Sequence, residues 1–243
     1  MDISIRRAAP DDIRAFRTLF LHELNRQFIC NKCHDYGWAD SYLFTVAGEP
    51  AGYGAVWGTD RREDRDTIFE FYLLPPYRRL VHEIFLAFRA QCGAVYVEAQ
   101  SNDALLSLML FSHTANIRAE AILFEDDVTT GLQQPDVTFR EVTSADESAG
   151  DNEYLLEQEG RIVATGGLML NYNYPYADIY MDVKEPFRGN GYGSYIVQEL
   201  KREAYARQRV PAARCNISNR ISQRTLERAG LKICGYRLKG DAV

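Results

Sequence analysis

The stretch from Val183 to Ser194 reads Val-Lys-Glu-Pro-Phe-Arg-Gly-Asn-Gly-Tyr-Gly-Ser, a strand-like run that enters a glycine-rich turn and opens a helix-patterned segment. A junction of this kind can hold a diphosphate. The first amides of a helix lack internal partners and lie at the positive end of its dipole. Glycines strip side chains from the turn, so an anion can approach the backbone closely. Two other glycine loops fit less well. A dinucleotide fingerprint would place its third glycine at 194, which is Ser194, and a P-loop would need a Gly-Lys-Ser/Thr ending, which does not follow.

A second group lies just upstream. Asp178, Tyr180 and Asp182 alternate along one strand face, with Ile179, Met181 and Val183 on the other. Tyr172, Tyr174 and Tyr176 share the parity of the acidic face, although Pro175 can break the register. Carboxylates beside aromatic rings can attract a cationic amine and take its proton. The same pattern also arises on an ordinary solvated strand face. Cys215 reads as a core cysteine.

One competing motif is Cys30-Asn-Lys-Cys33-His34, which matches a haem-attachment sequence. Covalent haem implies export, and the start Met1-Asp-Ile-Ser-Ile-Arg-Arg has no leader pattern. Zinc needs a fourth ligand, and His22 falls on a predicted helix. The motif reads as a loop or helix end with reduced thiols, and no metal is expected.

The elements that must position these residues are legible. Glu153–Gln158 and Arg161–Leu170 form a predicted hairpin, and Asp178–Val183 a strand. Gly193–Arg207 is a predicted helix, Ala212–Ile217 a strand, Arg220–Ala229 a helix stopped by Gly230, and Leu231–Leu238 a last strand.

The chain also repeats itself. Ile3-Ser-Ile-Arg-Arg-Ala8 matches Val137-Thr-Phe-Arg-Glu-Val142, Tyr42-Leu43 matches Tyr154-Leu155, and Pro76-Tyr77-Arg78 matches Pro186-Phe187-Arg188. The offset falls from 134 residues at Ile3/Val137 to 112 at Tyr42/Tyr154, so about 22 residues are missing from the second copy. In the first copy that stretch carries Ile13, Phe16, Phe20 and Leu24 at helical spacing. A linker is expected near 126–136, where Asp-Asp-Val-Thr-Thr-Gly-Leu-Gln-Gln-Pro carries turn chemistry.

Length and charge set limits. With 243 residues the chain can hold two compact units. Five sparse cysteines favour reduced thiols and a cytoplasmic location, and no apolar run approaches membrane length. The net charge is −6, yet from Arg188 onward there are 12 Lys/Arg against 4 Asp/Glu. That local field suits phosphate groups. The acidic whole and the lack of a basic-aromatic motif argue against nucleic acid.

Arg188-x-x-Gly191-x-Gly193 resembles the acetyl-coenzyme A loop of the GNAT N-acetyltransferase superfamily. Asn219-x-x-Ser222, followed by Glu227-x-x-Gly230-Leu231, is similar to the family's later helix motif. The resemblance covers residues 154–231 well and residues 1–125 weakly. It implies an α+β fold with a mixed central sheet flanked by helices, present twice in tandem. Residues 1–130 would be a degenerate copy, because Arg79-Leu80-Val81-His82 replaces the glycines. Residues 136–243 would be the acetyl-CoA-binding domain, lacking the first two helices, with the first domain supplying the missing wall.

The resemblance also implies site residues. Met181, Val183, Arg188, Gly189, Asn190, Gly191, Tyr192, Gly193, Ser194, Asn219 and Ser222 would contact acetyl-CoA. Asp178 and Asp182 would serve the amine. The family's usual acidic tyrosine is replaced by Leu226, so Tyr236, Tyr192 or water would protonate the leaving thiolate. The expected reaction is direct acetyl transfer to the amine of a small cationic molecule; an acyl-CoA sensor or a protein-interaction module are the alternatives.

Overall fold

The computed structural model describes residues 2–27 and 31–243, and its contacts divide the chain into two units. The first holds residues 2–26, residues 31–120 and the last nine, 235–243; the second holds residue 27 and residues 121–234. This differs from the expected boundary near 130. Residues 235–243, expected in the second domain, group by their contacts with the first unit.

The first unit begins with β1 (Ile3–Ala8), α1 (Pro10–Glu23) and the short α2 (Asn31–Asp35). Then follow β2 (Ala39–Val46), β3 (Glu49–Trp57), β4 (Thr67–Leu73), a 3-10 turn at Pro75–Leu80, α3 (Val81–Cys92), β5 (Tyr96–Gln100) and α4 (Ala104–His113). Strand β6 (Thr114–Asp126) contributes residues up to 120, and the last strand, β12 (Leu231–Ala242), contributes residues from 235. The sheet order is β1-β2-β3-β4-β5-β12-β6. Phe85 and Phe88 of α3 and Leu106, Met109 and Leu110 of α4 pack with Phe44 and Phe71 in one core. Phe20 of α1 meets Tyr53 and Tyr72 edge-on. The dense charge run Asp60–Asp66 lies in turns between β3 and β4, as its solvated composition implies.

A buried polar cluster sits in this unit. Glu70 accepts from Tyr53 Oη at 2.8 Å and from Arg17 at 3.2 Å, and lies 3.0 Å from His34 Nε2. Burial alone would raise its pKa, but Arg17, followed by His34, outweighs that and holds it low. His34 is thus engaged by a carboxylate, Cys33 is buried, and Cys30 lies outside the described residues.

The second unit contains β7 (Thr138–Glu141), β8 (Tyr154–Gln158), β9 (Arg161–Met169), β10 (Tyr176–Val183), α5 (Tyr192–Ala206), β11 (Val210–Asn216) and α6 (Arg220–Arg228). Its sheet runs β12-β6-β11-β10-β9-β8-β7, using residues 121–126 of β6 and 231–234 of β12. Between β7 and β8 only a 3-10 turn, Glu147–Ala149, stands where the first unit has α1 and α2. The missing helical segment is therefore real. Ile196, Val197, Leu200 and Ala204 of α5 and Leu226 and Ala229 of α6 close the core over Leu156, Ile179 and Ala213.

The expected linker is not loose chain. Lys201, 2% exposed, pairs with Asp126 at 2.9 Å and donates to the carbonyls of Val128, Ala229 and Gly230. One turn earlier, Gln198 accepts from Thr130 Oγ1 and the Leu132 amide and donates to the Leu132 carbonyl. Gln134 ends the strap by donating to the Asn190 carbonyl at 3.0 Å.

Candidate active site

The site lies where β10 and β11 separate. They pair in parallel from Tyr176↔Val210 to Ile179↔Ala213 and then part. Beyond that point β10 stays with β9 as far as Val183↔Ala164, while β11 stays with β6 as far as Asn216↔Ala121. Each strand keeps one neighbour, so the parting leaves a cleft rather than a broken sheet.

A turn at Glu185–Phe187 leads from β10 to α5. Gly189 and Gly191 take φ values of +84° and +85°, which side-chain-bearing residues resist. Gly193 serves differently. A Cβ there would lie 3.0 Å from the Thr225 methyl of α6, so this glycine permits close helix packing. None of the amides from Gly189 to Ser194 donates to a backbone carbonyl among the described residues. They form the open, positive end of α5.

Other expected contacts divide by role. Arg188 donates through Nε to the Val183 carbonyl at 3.0 Å and lies 3.7 Å from Asp182. The Asn190 side chain donates to the Phe187 carbonyl at 3.1 Å. Tyr192 is buried, and its hydroxyl donates to Gln158 Oε1 at 3.0 Å. Ser194 Oγ donates to the Thr225 carbonyl at 3.1 Å. Tyr192 and Ser194 can therefore offer an anion their amides but not their hydroxyls. Asn219 caps α6, its Oδ1 accepting from the Ser222 amide at 3.0 Å. Met181 and Val183 lie beside Gly193 and pack against the core.

A cleft of about 180 Å³ opens at the parted strands, lined by Met169, Asp178, Tyr180, Met181, Arg214, Ser222 and Leu226 among others. Asp178 is 2% exposed and lies 3.6 Å from Arg214, whose guanidinium also donates to the Tyr172 hydroxyl. Asp182 stands at the exposed rim. The two aspartates share a face, as their spacing predicts, but one is at the floor and the other in water. Tyr236 falls in the first unit, because the last strand changes unit at Gly235; its amide donates to Ser101 Oγ. It is not among the residues that the second unit gathers at the cleft. Cys215 belongs to the core, and burial raises its thiol pKa.

Sequence reasoning missed Arg214, Met169 and Glu153. Arg214 carried a signal: a lone charge between Ala213 and Cys215 in an apolar strand. A second cleft of about 450 Å³ is lined by Glu153, Leu168, Met169, Leu170, Asn171 and Tyr180. Tyr180 lines both clefts. Its ring lies across Gly167, where a Cβ would collide with the Tyr180 hydroxyl and ring carbons. Burial raises its phenol pKa, so the hydroxyl keeps its proton at neutral pH.

The acetyltransferase (GNAT) family model matches residues 120–231, and its start coincides with the cut between the two units. Residues 120–231 are a GNAT-family domain. The tandem fold extends over the whole chain. It is similar to a GNAT-family acetyltransferase from Colwellia psychrerythraea, at 14% identity over 100% of both chains, with a TM-score of 0.78. A tandem GNAT protein from the clavulanic acid biosynthesis pathway aligns at 11% identity over 100% of this chain and 99% of its own, TM-score 0.64. A GCN5-related N-acetyltransferase from Sphaerobacter thermophilus aligns at 18% identity over 98% and 95%, TM-score 0.61. No curated protein matches the sequence. The GNAT acetyltransferase match thus covers the second unit, and the solved structures share the fold of mixed sheets flanked by helices over the whole chain. No helix among the described residues is long and apolar enough to cross a membrane.

Proposed function

We propose that the protein moves an acetyl group from acetyl-CoA directly to the amine of a small cationic molecule in the cytoplasm. One observation carries the reading: β10 and β11 part after Ile179 and Ala213, beside six amides, Gly189 to Ser194, that lack backbone acceptors. The amides take the diphosphate, Asn219 and Ser222 border the pantetheine path, and Met181 and Val183 flank it.

The chemistry follows from the two clefts. The amine enters the larger one, where Glu153 favours a cation. Asp178 accepts the ammonium proton through water, and the neutral amine attacks the thioester carbonyl. As the carbon–sulfur bond breaks, the thiolate takes a proton. Tyr180, which lines both clefts and stays protonated, is better placed for this than Tyr236 or the hydrogen-bonded Tyr192. The free thiol has a pKa of about 8.5, so the acid helps without being indispensable.

Titration calorimetry with acetyl-CoA tests the cofactor half. Binding by the wild type and its loss in a folded Gly191→Trp variant are expected; equal affinities refute the site. A second reading, an acyl-CoA sensor without turnover, is favoured by Leu226, which lines the cleft where family members carry a tyrosine. Free coenzyme A released with a panel of amines supports the enzyme, and binding without release supports the sensor.

A further inference from the structure

We propose that the acceptor is a short peptide, held by its backbone along the open edge of β9 and modified at its N-terminal amine. This rests on the acyl-transfer reading above. Strand β8 pairs with β9 as far as Tyr154↔Gly166, and the Glu153 amide makes the last bond, to the Gly166 carbonyl. Strand β9 runs on to Met169.

Two bonds fix which peptide groups are left over. The Val163 carbonyl accepts from the Lys184 amide, on the β10 side, and the Gly166 carbonyl accepts from Glu153, on the β8 side. Successive residues of an antiparallel strand turn their peptide groups to alternate neighbours. Pairing with β10 is regular from Ala164 to Met169, so Leu168 faces the β8 side, as does Leu170 one residue past the strand end. There β8 has ended, and no backbone partner among the described residues replaces it. An uncovered edge of this kind is a template for one more strand.

The edge opens on the cleft of about 450 Å³, which Glu153, Leu168, Leu170 and Tyr180 line. Glu153 stands at the inner end, its carboxylate 3.5 Å from Arg207 and its side chain 40% exposed. Tyr180 stands there too, its ring across Gly167. A peptide running parallel to β9 brings its ammonium to that end. In parallel pairing one residue bridges two on the neighbouring strand. The peptide's second residue donates its N–H to the Leu168 carbonyl and accepts from the Leu170 amide. Its first residue carries the amine to Glu153 and Tyr180. Asp178 takes the ammonium proton, the nitrogen bonds to the acetyl carbon, and coenzyme A leaves as the thiol with a proton from Tyr180. A simple alkylamine or a polyamine has no peptide group to meet this edge.

Release of free coenzyme A by the full chain, with alanyl-alaninamide, alanyl-lactamide and butylamine as acceptors, tests this. Alanyl-lactamide has an ester oxygen where the dipeptide has its internal N–H. The wild type should show a kcat/KM about tenfold higher for the dipeptide amide than for the ester, equivalent to about 1.4 kcal/mol. The reason is that the ester leaves the Leu168 carbonyl without a donor. Leu170→Pro removes the other N–H of the edge without breaking a bond to β10. Leu170→Ala loses the same side chain and keeps that N–H. The preference for the dipeptide amide over butylamine should survive Leu170→Ala and fall about fivefold in Leu170→Pro. Equal wild-type kcat/KM for amide and ester, or a preference that survives Leu170→Pro, overturns the peptide edge and leaves acyl transfer standing. Turnover of none of the three also overturns it, and calorimetry with acetyl-CoA then shows whether the acyl-CoA reading survives.

Discussion

Arg188 donates through Nε to the carbonyl of Val183, 3.0 Å away, and so ties the glycine turn back to the end of the strand before it. The first unit repeats the tie between Arg78 and Leu73 at 3.1 Å, although its turn has no glycine and no residue with positive φ. The brace thus needs neither glycine nor positive φ, which marks it as part of the fold's turn geometry.

Arg188→Ala should therefore loosen the loop more than the domain. Acetyl-CoA affinity should fall about tenfold, or about 1.4 kcal/mol. The residue is exposed, so the melting temperature should move by no more than about 2 °C. Calorimetry and a thermal scan check both. An unchanged affinity would show that the amides keep their arrangement without the tie.

Lys201→Met should be strongly destabilising. The ammonium serves Asp126 and three carbonyls from two separate segments. Removing it takes the ammonium from buried carbonyls and leaves Asp126 with the Tyr205 hydroxyl, a loss of about 3–5 kcal/mol. Urea denaturation measures it, and a cost below about 1 kcal/mol would mean that Gln198, Gln134 and the Val128 amide hold the strap 128–134 without it.

Asp103 gives a pH-dependent expectation for the first unit. It caps α4 through the Leu106 amide at 3.1 Å, yet burial, only partly offset by that amide, raises its pKa to about 6 from 3.8. The folded state then binds the proton more tightly than the unfolded chain. The stability from this group is complete below about pH 4 and is lost as pH rises through about 6. Asp103→Asn keeps a capping oxygen and cannot ionise. The variant should gain about 1–3 kcal/mol at pH 7.5 and little at pH 4. A gain of equal size at both pH values would count against the titration of Asp103.

Much of this architecture was legible because it is local. Gly189, Gly191 and the alternation from Asp178 to Val183 are set by near neighbours, and observed element ends fall within a few residues of those expected. The short link between β7 and β8 showed itself as a change in repeat spacing. What the sequence hid was non-local. Lys201 reads as a solvated helix residue, because its acceptors, at Val128 and Ala229–Gly230, come from distant segments. The run Leu231–Ala242 is one uninterrupted strand, and nothing local marks Gly235 as the point where it changes unit. That Gly193 also leaves room for Thr225 of α6 could not be read from its neighbours in sequence.

The divided last strand also governs biosynthesis. Strand β5 pairs with Arg237–Asp241, residues made only after the second unit. A ribosome that has finished residues 1–120 has not yet supplied the N-terminal unit with a complete sheet. That unit waits, with the flank of β5 uncovered, until the second unit has been made and residues 237–241 have followed it.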